Sequence, residues 1–468
     1  MVEPGGHVGR LHLSLSTCPP GGNWRLVLDL GIEALLTSAL GLQRPWTVEQ
    51  VRLDAASNRI DFDIVCQDAV LTCPHCGAAG QKVHDRLPRQ WRHLDFFQFE
   101  AWLHTRVPRV GCTQCGKTSQ VSVPWARAGS GFTLLFEALS LSLCQSMPTL
   151  QAAQMLRVLD KRIWRCVEHY VDQARRQQDM SKVDFVGIDE TSLRKGHNYV
   201  SVVHDLGEGQ RLLFATPGKD HSTIEAFAQD LEAHGGDRMK IKHACIDMSA
   251  AFAKGITHSL PNAQISYDRF HIVALANEAM DEVRKVEWRT ESVKVQEALG
   301  EMTPEARRSI LWGMRRNPSG WNAKQTTAMH WLQRTNLKSP RAWRLKMALR
   351  EVYAKARTHN QVELASADLK AWIGWARRSR LESFKRLACT LKAHFDAVVR
   401  GMLDNRSNAR VEAMNGLMQQ AKRAARGYRT ATNFINIAYL RLSKLTHLPA
   451  SPFVPATPRH SDLSASGV

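Results

Sequence analysis

Two Cys-x-x-Cys pairs constrain this chain more strongly than any other feature. They are Cys73-Pro-His-Cys76-Gly and Cys112-Thr-Gln-Cys115-Gly, and 35 residues separate them. Two tight turns that each supply two thiolates match the tetrahedral ligand set of a structural zinc ion. The glycine after each second cysteine suits such a turn. We therefore predict a Zn²⁺ site at Cys73, Cys76, Cys112 and Cys115, without catalytic chemistry because a closed four-thiolate site has no open position.

Other roles for these cysteines remain open at this point. A histidine could replace one thiolate, the nearby ones being His75, His84, His93 and His104. A redox dithiol is the weaker alternative. The sequence shows no pattern typical of a signal peptide, and the most apolar stretch, 26–42, is short and carries Asp29 and Glu33. We therefore expect a cytoplasmic protein with no membrane partner, whose remaining cysteines are thiols.

The net charge of +19 is concentrated in one part of the chain. Residues 281–400 contain 25 basic and 12 acidic side chains, and residues 401–450 contain 8 and 2. Such a field attracts polyanions, and DNA is the predicted partner because neutralising its phosphates releases counterions. The alternatives are a solvated basic helical surface without a partner and, less well supported, an anionic membrane surface.

Periodicity predicts a change of architecture along the chain. Alternation over 51–65 predicts a hairpin, and 91–110 could form two more strands. Residues 132–176 read as helices. From Val183 the order is β-β-β-α-β-α-β-α, which indicates a mixed sheet covered by helices. Residues 287–400 read as helices only.

A helix-turn-helix is predicted within the first helical region. A short helix over Thr149–Leu156 is followed by a turn and by a longer helix from Lys161. A recognition helix in the major groove would expose basic side chains. Those predicted to remain outside are Lys161, Arg162, Arg165 and Arg175. Any pair of antiparallel helices would show the same pattern.

Two aspartates end apolar runs that we interpret as strands. Asp189 follows 185–188 and Asp247 follows 241–246. The carboxyl ends of strands are where open α/β sheets bind ligands, and two carboxylates there could share Mg²⁺ ions. The alternative for each is a strand-end turn or a helix cap, especially for Asp247, since Ser249 begins a predicted helix. Glu190 should point to the opposite face of its strand.

A third acid lies on a predicted helix near the C-terminus. At helical spacing Glu412 shares a face with Asn408, Asn415 and Gln419. The chain then becomes basic, and the residues that we predict to contact DNA phosphates are Lys422, Arg423, Arg426 and Arg429. The alternative is an ordinary surface helix.

In their order and spacing these motifs resemble the bacterial insertion-sequence transposases of the ISL-three (ISL3) group, which have a DDE catalytic core. The likeness covers about residues 39 to 445. It includes the four cysteines, the helix-turn-helix and the segments VGIDET, CIDMS, YDRFH, NARVEAMN and KRAARGYR.

The resemblance implies a ribonuclease-H-like core. Asp189 would lie on its first strand, Asp247 on its fourth, and Glu412 on a helix after a long helical insertion. These three residues would be catalytic and would bind Mg²⁺ or Mn²⁺. Asp268 and His271 match a secondary motif of the family and are expected, with Asn415, to support the site.

The implied activity is binding of the terminal inverted repeats of an insertion sequence, followed by metal-dependent DNA cleavage and strand transfer. Double-stranded DNA, at the element ends and the target, would be the partner of a homodimer or larger assembly at the bacterial nucleoid. Two alternatives are a catalytically inactive DNA-binding regulator and a structure-specific nuclease on the same fold.

The expected domains follow from the same reading. They are a partly disordered leader (1–38), a zinc ribbon (39–125), a helix-turn-helix (130–178), a catalytic core (182–286 and 402–446), a basic helical insertion (287–401) and a disordered tail (447–468).

Overall fold

The computed structural model describes residues 31–194, 198–207, 209–300, 302–403 and 409–452. The chain forms two compact units, which divide after Ser142. Most of the predicted leader and of the predicted tail lies outside the described residues. None of the described helices combines the length and apolar character that crossing a bilayer requires.

The first unit is built on a six-stranded sheet. After α1 (Ile32–Ala39) its strands are β1 (Trp46–Asp54), β2 (Arg59–Cys66), β3 (Val70–Leu71), β4 (Gln81–Arg92), β5 (Glu100–Gly111) and β6 (Thr118–Gln120). The strand order is β1-β2-β5-β4-β3, and β6 pairs with β5. The predicted hairpin is confirmed, because β1 and β2 are antiparallel neighbours. Trp46 and Trp91 pack edge-on against Trp125 in the core, with ring centroids 5.0 and 5.7 Å apart.

Three helices follow: α2 (Leu134–Ser146), α3 (Thr149–Met155) and α4 (Asp160–Arg176). Helices α3 and α4 pack together through small and branched side chains that include Ala152 and Ile163, both fully buried. The expectation that Arg175 lies outside is wrong. It is 8% exposed, and its guanidinium forms an ion pair with Asp230 at 2.7 Å and lies over the ring of Tyr439. The last turn of α4 is covered by the rest of its unit, which periodicity alone does not reveal.

The second unit contains a mixed five-stranded sheet. Its elements are β7 (Phe185–Arg194), β8 (Asn198–Asp205), β9 (Leu212–Pro217), α5 (Ser222–Ala233), β10 (His243–Ile246), α6 (Ala250–Ser259), β11 (Gln264–Tyr267) and α7 (Arg269–Thr290). The strand order is β11-β10-β7-β8-β9. Strands β7, β8 and β9 form an antiparallel meander, whereas β10 is parallel to both β7 and β11. The predicted succession of strands and helices is confirmed.

One strand end was predicted wrongly. Asp189 does not end its strand, because β7 continues to Arg194 and remains paired with β8 along the way. Asp189 lies opposite Val202, and Thr191 lies opposite Val200. The backbone pairing carries the strand past the point where its apolar run stops. Asp247 does directly follow β10, as predicted.

The remainder of the second unit is helical. It comprises α8 (Ser292–Leu299), α9 (Pro304–Arg315), α10 (Ala323–Gln333), α11 (Lys338–His359), α12 (Val362–Arg378), α13 (Glu382–Ala393), α14 (Phe395–Leu403), α15 (Ala409–Ala424) and α16 (Ala431–Leu442). The prediction of helices only is confirmed for the described part of 287–400. Glu287 of α7 is 2% exposed and accepts hydrogen bonds from the backbone of Lys338 and Ser339, so that it caps α11.

Candidate active site and metal centre

Three neighbouring strands of the second sheet bring acidic residues together near the carboxyl ends of β10 and β11. Asp189 lies within β7, Asp247 directly follows β10, and Asp268 directly follows β11. The carboxylate of Asp247 accepts a hydrogen bond from the amide of Ser249 at 3.1 Å. Asp268 in the same way accepts one from Phe270 at 3.1 Å and begins α7. Both aspartates therefore shape local turns as well as facing the site.

Helix α15 packs beside these acids because one glycine of β7 leaves room for it. A Cβ atom at Gly187 of β7 would lie 2.6 Å from Cγ2 of Val411. Val411 is fully buried and packs with Phe185, Leu206 and Cys245. Glu412 is the next residue along the helix. The close contact of Val411 with the strand therefore fixes where Glu412 enters the site.

The predicted polar face of α15 lies against β7. Asn408, one of its four members, falls outside the described residues. The contacts of this face are a hydrogen bond from Asn415 Nδ2 to Asp189 Oδ2 (2.5 Å), one from Gln419 to the Thr191 hydroxyl, and one from Lys422 Nζ to the Ser192 carbonyl (2.5 Å). Lys422, predicted to contact DNA, thus has a backbone partner on the strand.

Asp189 and Glu412 line one open cavity of about 520 Å³. Its wall also contains His271, Asn415 and Arg423. Glu190, which strand alternation placed on the other face, belongs to the same wall. Burial raises the pKa of Glu190, and the charge of Asp247 raises it further while Lys219 lowers it. Alternation along the strand therefore did not separate Glu190 from the site.

The acids disfavour one another's ionisation. Burial raises the pKa of Asp189 to about 6, and the charges of Asp247 and Asp268 add to this effect. The pKa values of Asp247 and Glu412 are also raised, in both cases first by burial and then by Asp268. His271 opposes the shift at all three positions. A cluster with these properties is stabilised by a cation and is typical of a functional site.

Asp268 is the most enclosed of these acids. It is 4% exposed, its Oδ2 atom has no hydrogen-bond partner, and that atom lies 3.8 Å from Nε2 of His271. Within the described residues, the four cysteines are the only group of three or more His, Cys, Asp or Glu whose donor atoms all lie within 4.8 Å of one another. Asp189, Asp247 and Glu412 are therefore more widely spaced than the ligands of one ion.

The four cysteines form a compact group in the first unit. The Sγ atoms of Cys73 and Cys115 are 3.9 Å apart, and those of Cys76 and Cys112 are 3.5 Å apart. Tetrahedral zinc with Zn–S bonds of about 2.3 Å places sulfurs about 3.8 Å apart. The group contains no histidine among the described residues. The cysteines therefore fit a zinc ion.

Local backbone geometry supports thiolates at this site. Gly77 and Gly116 have φ angles of 76° and 67°, and each amide donates to the carbonyl of the first cysteine of its pair. The backbone amide of Cys115 donates to Cys112 and lowers the pKa of that thiol to about 7. Metal ligation requires the thiolate, and the Cys115 amide favours it at Cys112. The contact with Cys112 raises the pKa of Cys76 to about 12, so these two thiols differ in how readily they ionise.

Comparison with known families identifies the group of proteins to which the chain belongs. A family model described as a transposase, for the DDE domain of the ISL3 type, matches residues 186–438. This chain belongs to the ISL3 family of transposases. Two further models of the family match it, the zinc-finger of transposase IS204/IS1001/IS1096/IS1165 over 69–115 and the helix-turn-helix domain over 121–171.

Curated relatives of this ISL3 chain are transposases of insertion sequence elements. It is 29% identical over 446 residues to the transposase for insertion sequence element IS1557 of Mycobacterium tuberculosis, covering 89% of this chain and 97% of the relative. It is 27% identical over 412 residues to the transposase for insertion sequence element IS1001 of Bordetella parapertussis, covering 86% and 97%.

The basic residues predicted in this ISL3 chain lie on two neighbouring elements. Helix α4 packs on α16, and the rings of Trp164 and Tyr428 are 6.3 Å apart, which brings α4 close to the turn after α15. The predicted residues on these elements are Lys161 and Arg165, both exposed, Arg162, half-buried, and Arg423, Arg426 and Arg429, all exposed.

Sequence reasoning missed His204 of β8. Its ring is fully buried, and neither nitrogen has a hydrogen-bond partner of good geometry. The polar side chain that acts on it is Asn415, whose Oδ1 atom is likewise unpartnered. Burial lowers the pKa of His204 to about 4. The only signal was a histidine directly after two valines of β8, which seldom marks a site.

Proposed function

We propose that this chain cleaves DNA at the ends of an insertion sequence and joins them to target DNA, with Asp189, Asp247 and Glu412 as the catalytic residues. The observation that carries the proposal is the meeting of Asp189 and Glu412 in one cavity, next to Asp247. Residues so far apart in sequence converge only through the fold. Their raised pKa values favour a site that receives cations.

We further propose that the second unit contains a ribonuclease-H-like core. Its support is the antiparallel meander β7-β8-β9 followed by β10 and β11 parallel to β7. We propose the same domain bounds as the sequence analysis. The core comprises 182–286 and 402–446, the helical insertion 287–401, the zinc ribbon 39–125 and the helix-turn-helix 130–178.

Mg²⁺ or Mn²⁺ is the cofactor that suits the acidic cluster. Carboxylate oxygens are the preferred ligands of these ions, and the unpartnered oxygen of Asp268 provides one more acceptor. A pair of such ions would be held by Asp189, Asp247 and Glu412 together, whose spacing exceeds that of the ligands of one ion. When bound, such ions lower the barrier to phosphodiester exchange by stabilising the attacking and leaving oxygens.

The chain's own residues prepare this exchange. Asn415 holds the carboxylate of Asp189 through its amide, and His271 offsets the negative charge of the cluster. Arg423 lies on the cavity wall, where its guanidinium suits a DNA phosphate. Asp268 and His271 therefore support the site rather than replace a member of the triad.

Recognition of the element ends is assigned to the zinc ribbon and the helix-turn-helix. Lys161, Arg162 and Arg165 lie on α4, and in a recognition helix they would contact DNA in the major groove. Two DNA ends must be brought together for joining, so the active form would be at least a homodimer.

The test is cleavage of DNA that carries the element ends, with and without Mg²⁺. We expect D189N, D247N and E412Q each to lower cleavage roughly 100-fold or more while binding of the ends persists. E190Q is the matched control, since Glu190 is at the same wall and is not assigned to the triad. A variant of the triad that still transferred strands would remove its residue from the assignment.

The competing functions give different products. A catalytically inactive regulator would bind the ends without any metal-dependent nick. A structure-specific nuclease would cut without joining, and it would have no use for end recognition. The presence of both the zinc ribbon and the helix-turn-helix favours the transposase.

A further inference from the structure

Three of the described tryptophans of the helical region are exposed: Trp375 of α12 (43%) and two on the neighbouring helices α9 and α10. Trp312 of α9 is 50% exposed and Trp331 of α10 is 37% exposed, whereas Trp343 and Trp372 of the same region are 9% and 3% exposed. A tryptophan ring carries a large apolar area that proteins usually bury. Tryptophan is also enriched at the surfaces by which proteins bind partners.

On α9 the exposed ring lies between two cations. Arg308, Trp312 and Arg315 are spaced to share one face of the helix. Glu305 begins the same face in the first turn, so the face carries two cations and one acid. The opposite face is buried through Ile310 and Met314, which are both fully buried. The guanidinium of Arg315 lies over the indole of Trp312, 6.0 Å from the ring centroid.

Helix α10 repeats the arrangement. Lys324, Trp331 and Arg334 are exposed and lie on one side of the helix, away from its buried residues. The two helices touch at Gly313 of α9, where a Cβ atom would lie 2.5 Å from Cγ of Met329. Neighbouring helices therefore each present one indole flanked by positive charge.

These helices and the chain between them carry far more positive than negative charge. Residues 304–350 contain eleven Lys and Arg and one acid, Glu305, in the first turn of α9. Arg315 has a partner outside that segment, Asp281, at 3.2 Å, but Asp281 also pairs with Arg284 and Lys285. The surface is thus complementary to a polyanion.

We propose that the surface formed by α9 and α10 binds single-stranded DNA, with bases stacked on Trp312 and Trp331 and phosphates held by Arg308, Lys324 and Arg334. Stacking on an indole needs the face of an unpaired base, which a duplex hides between neighbouring base pairs. This inference goes beyond the proposed function, because binding here requires neither a metal ion nor the carboxylates. Strands freed by cleavage would be one source of the ligand if that function holds.

The test measures binding of a short oligonucleotide containing 2-aminopurine to the full chain in EDTA. Stacking quenches the fluorescence of 2-aminopurine, so quenching reports the contact itself. We expect W312A and W331A each to weaken binding of the single strand about ten-fold and to reduce quenching. Binding of the same sequence as a duplex should change little. The matched control is W375A, which removes a ring that is 43% exposed on α12, outside residues 304–350.

Three outcomes would overturn the inference. The first is unchanged affinity and quenching in W312A and W331A. The second is an equal loss in W375A, which would indicate a general effect of deleting an exposed ring. The third is a loss confined to R308A and K324A and equal for single and double strands, which would indicate phosphate binding without stacking. Cleavage is absent from this assay, so a wild type that binds here and fails to cut with Mg²⁺ would refute only the proposed catalysis.

Discussion

The burial of His204 should make the stability of the second unit depend on pH. The imidazole is fully buried in β8, and burial lowers its pKa from 6.5 to about 4. Between these two values the unfolded chain takes up a proton that the folded chain does not. Stability is therefore complete above pH 6.5 and falls as the pH falls towards 4. A pKa change of this size corresponds to about 3 kcal/mol.

Replacing His204 by Phe removes this titration and keeps a ring of similar size. Hydrogen exchange measured by mass spectrometry on peptides covering β8, corrected for the intrinsic rate at each pH, gives the free energy of opening. The free energy of opening of the wild type, relative to that of H204F, should fall by about 3 kcal/mol from pH 7 to pH 4. H330F replaces an exposed histidine of α10, and its free energy of opening should depend on pH as that of the wild type does. A pH dependence that H204F retained in full would show that the reasoning is wrong.

Three further changes test other parts of the structure. C112S should release zinc, measured by mass spectrometry of the metal, and should unfold the first unit while the helical signal of the second persists. E287A leaves the donors at the start of α11 unsatisfied and should lower the free energy of unfolding by about 3 kcal/mol, with a smaller loss in E287Q, both measured in urea. G187A pushes Val411 away and should displace α15, so that cleavage falls while end binding stays normal; unchanged cleavage would contradict the close contact.

Much of the architecture was predictable because it follows from local pattern. The alternation of strands and helices after Val183 reflects periods of 2 and 3.6 in the apolar residues, and the structure has the same order. The cysteine group was predictable because a tight turn sets the distance between the two members of each pair. The helical face with Asn415 and Gln419 was also visible, since helical spacing alone puts them together.

The remainder depends on packing that local pattern does not encode. Arg175 looked like an exposed base, but the last turn of its helix is covered by Tyr439 and Asp230. Asp189 looked like a strand end, but pairing with β8 extends the strand. Asp268 was expected only to support the site, yet it is buried at the end of the edge strand β11, and its charge raises the pKa values of Asp189, Asp247 and Glu412.

The contact of Val411 with Gly187 also imposes an order on assembly. The acids at 189 and 247 are translated long before the helix that carries Glu412, and that helix can dock only after the intervening helices have been made. A polypeptide that stopped short of α15 would keep the zinc-binding cysteines and the helix-turn-helix but lack the third acid. The cavity is therefore complete only after α15 has been synthesised and has packed on β7.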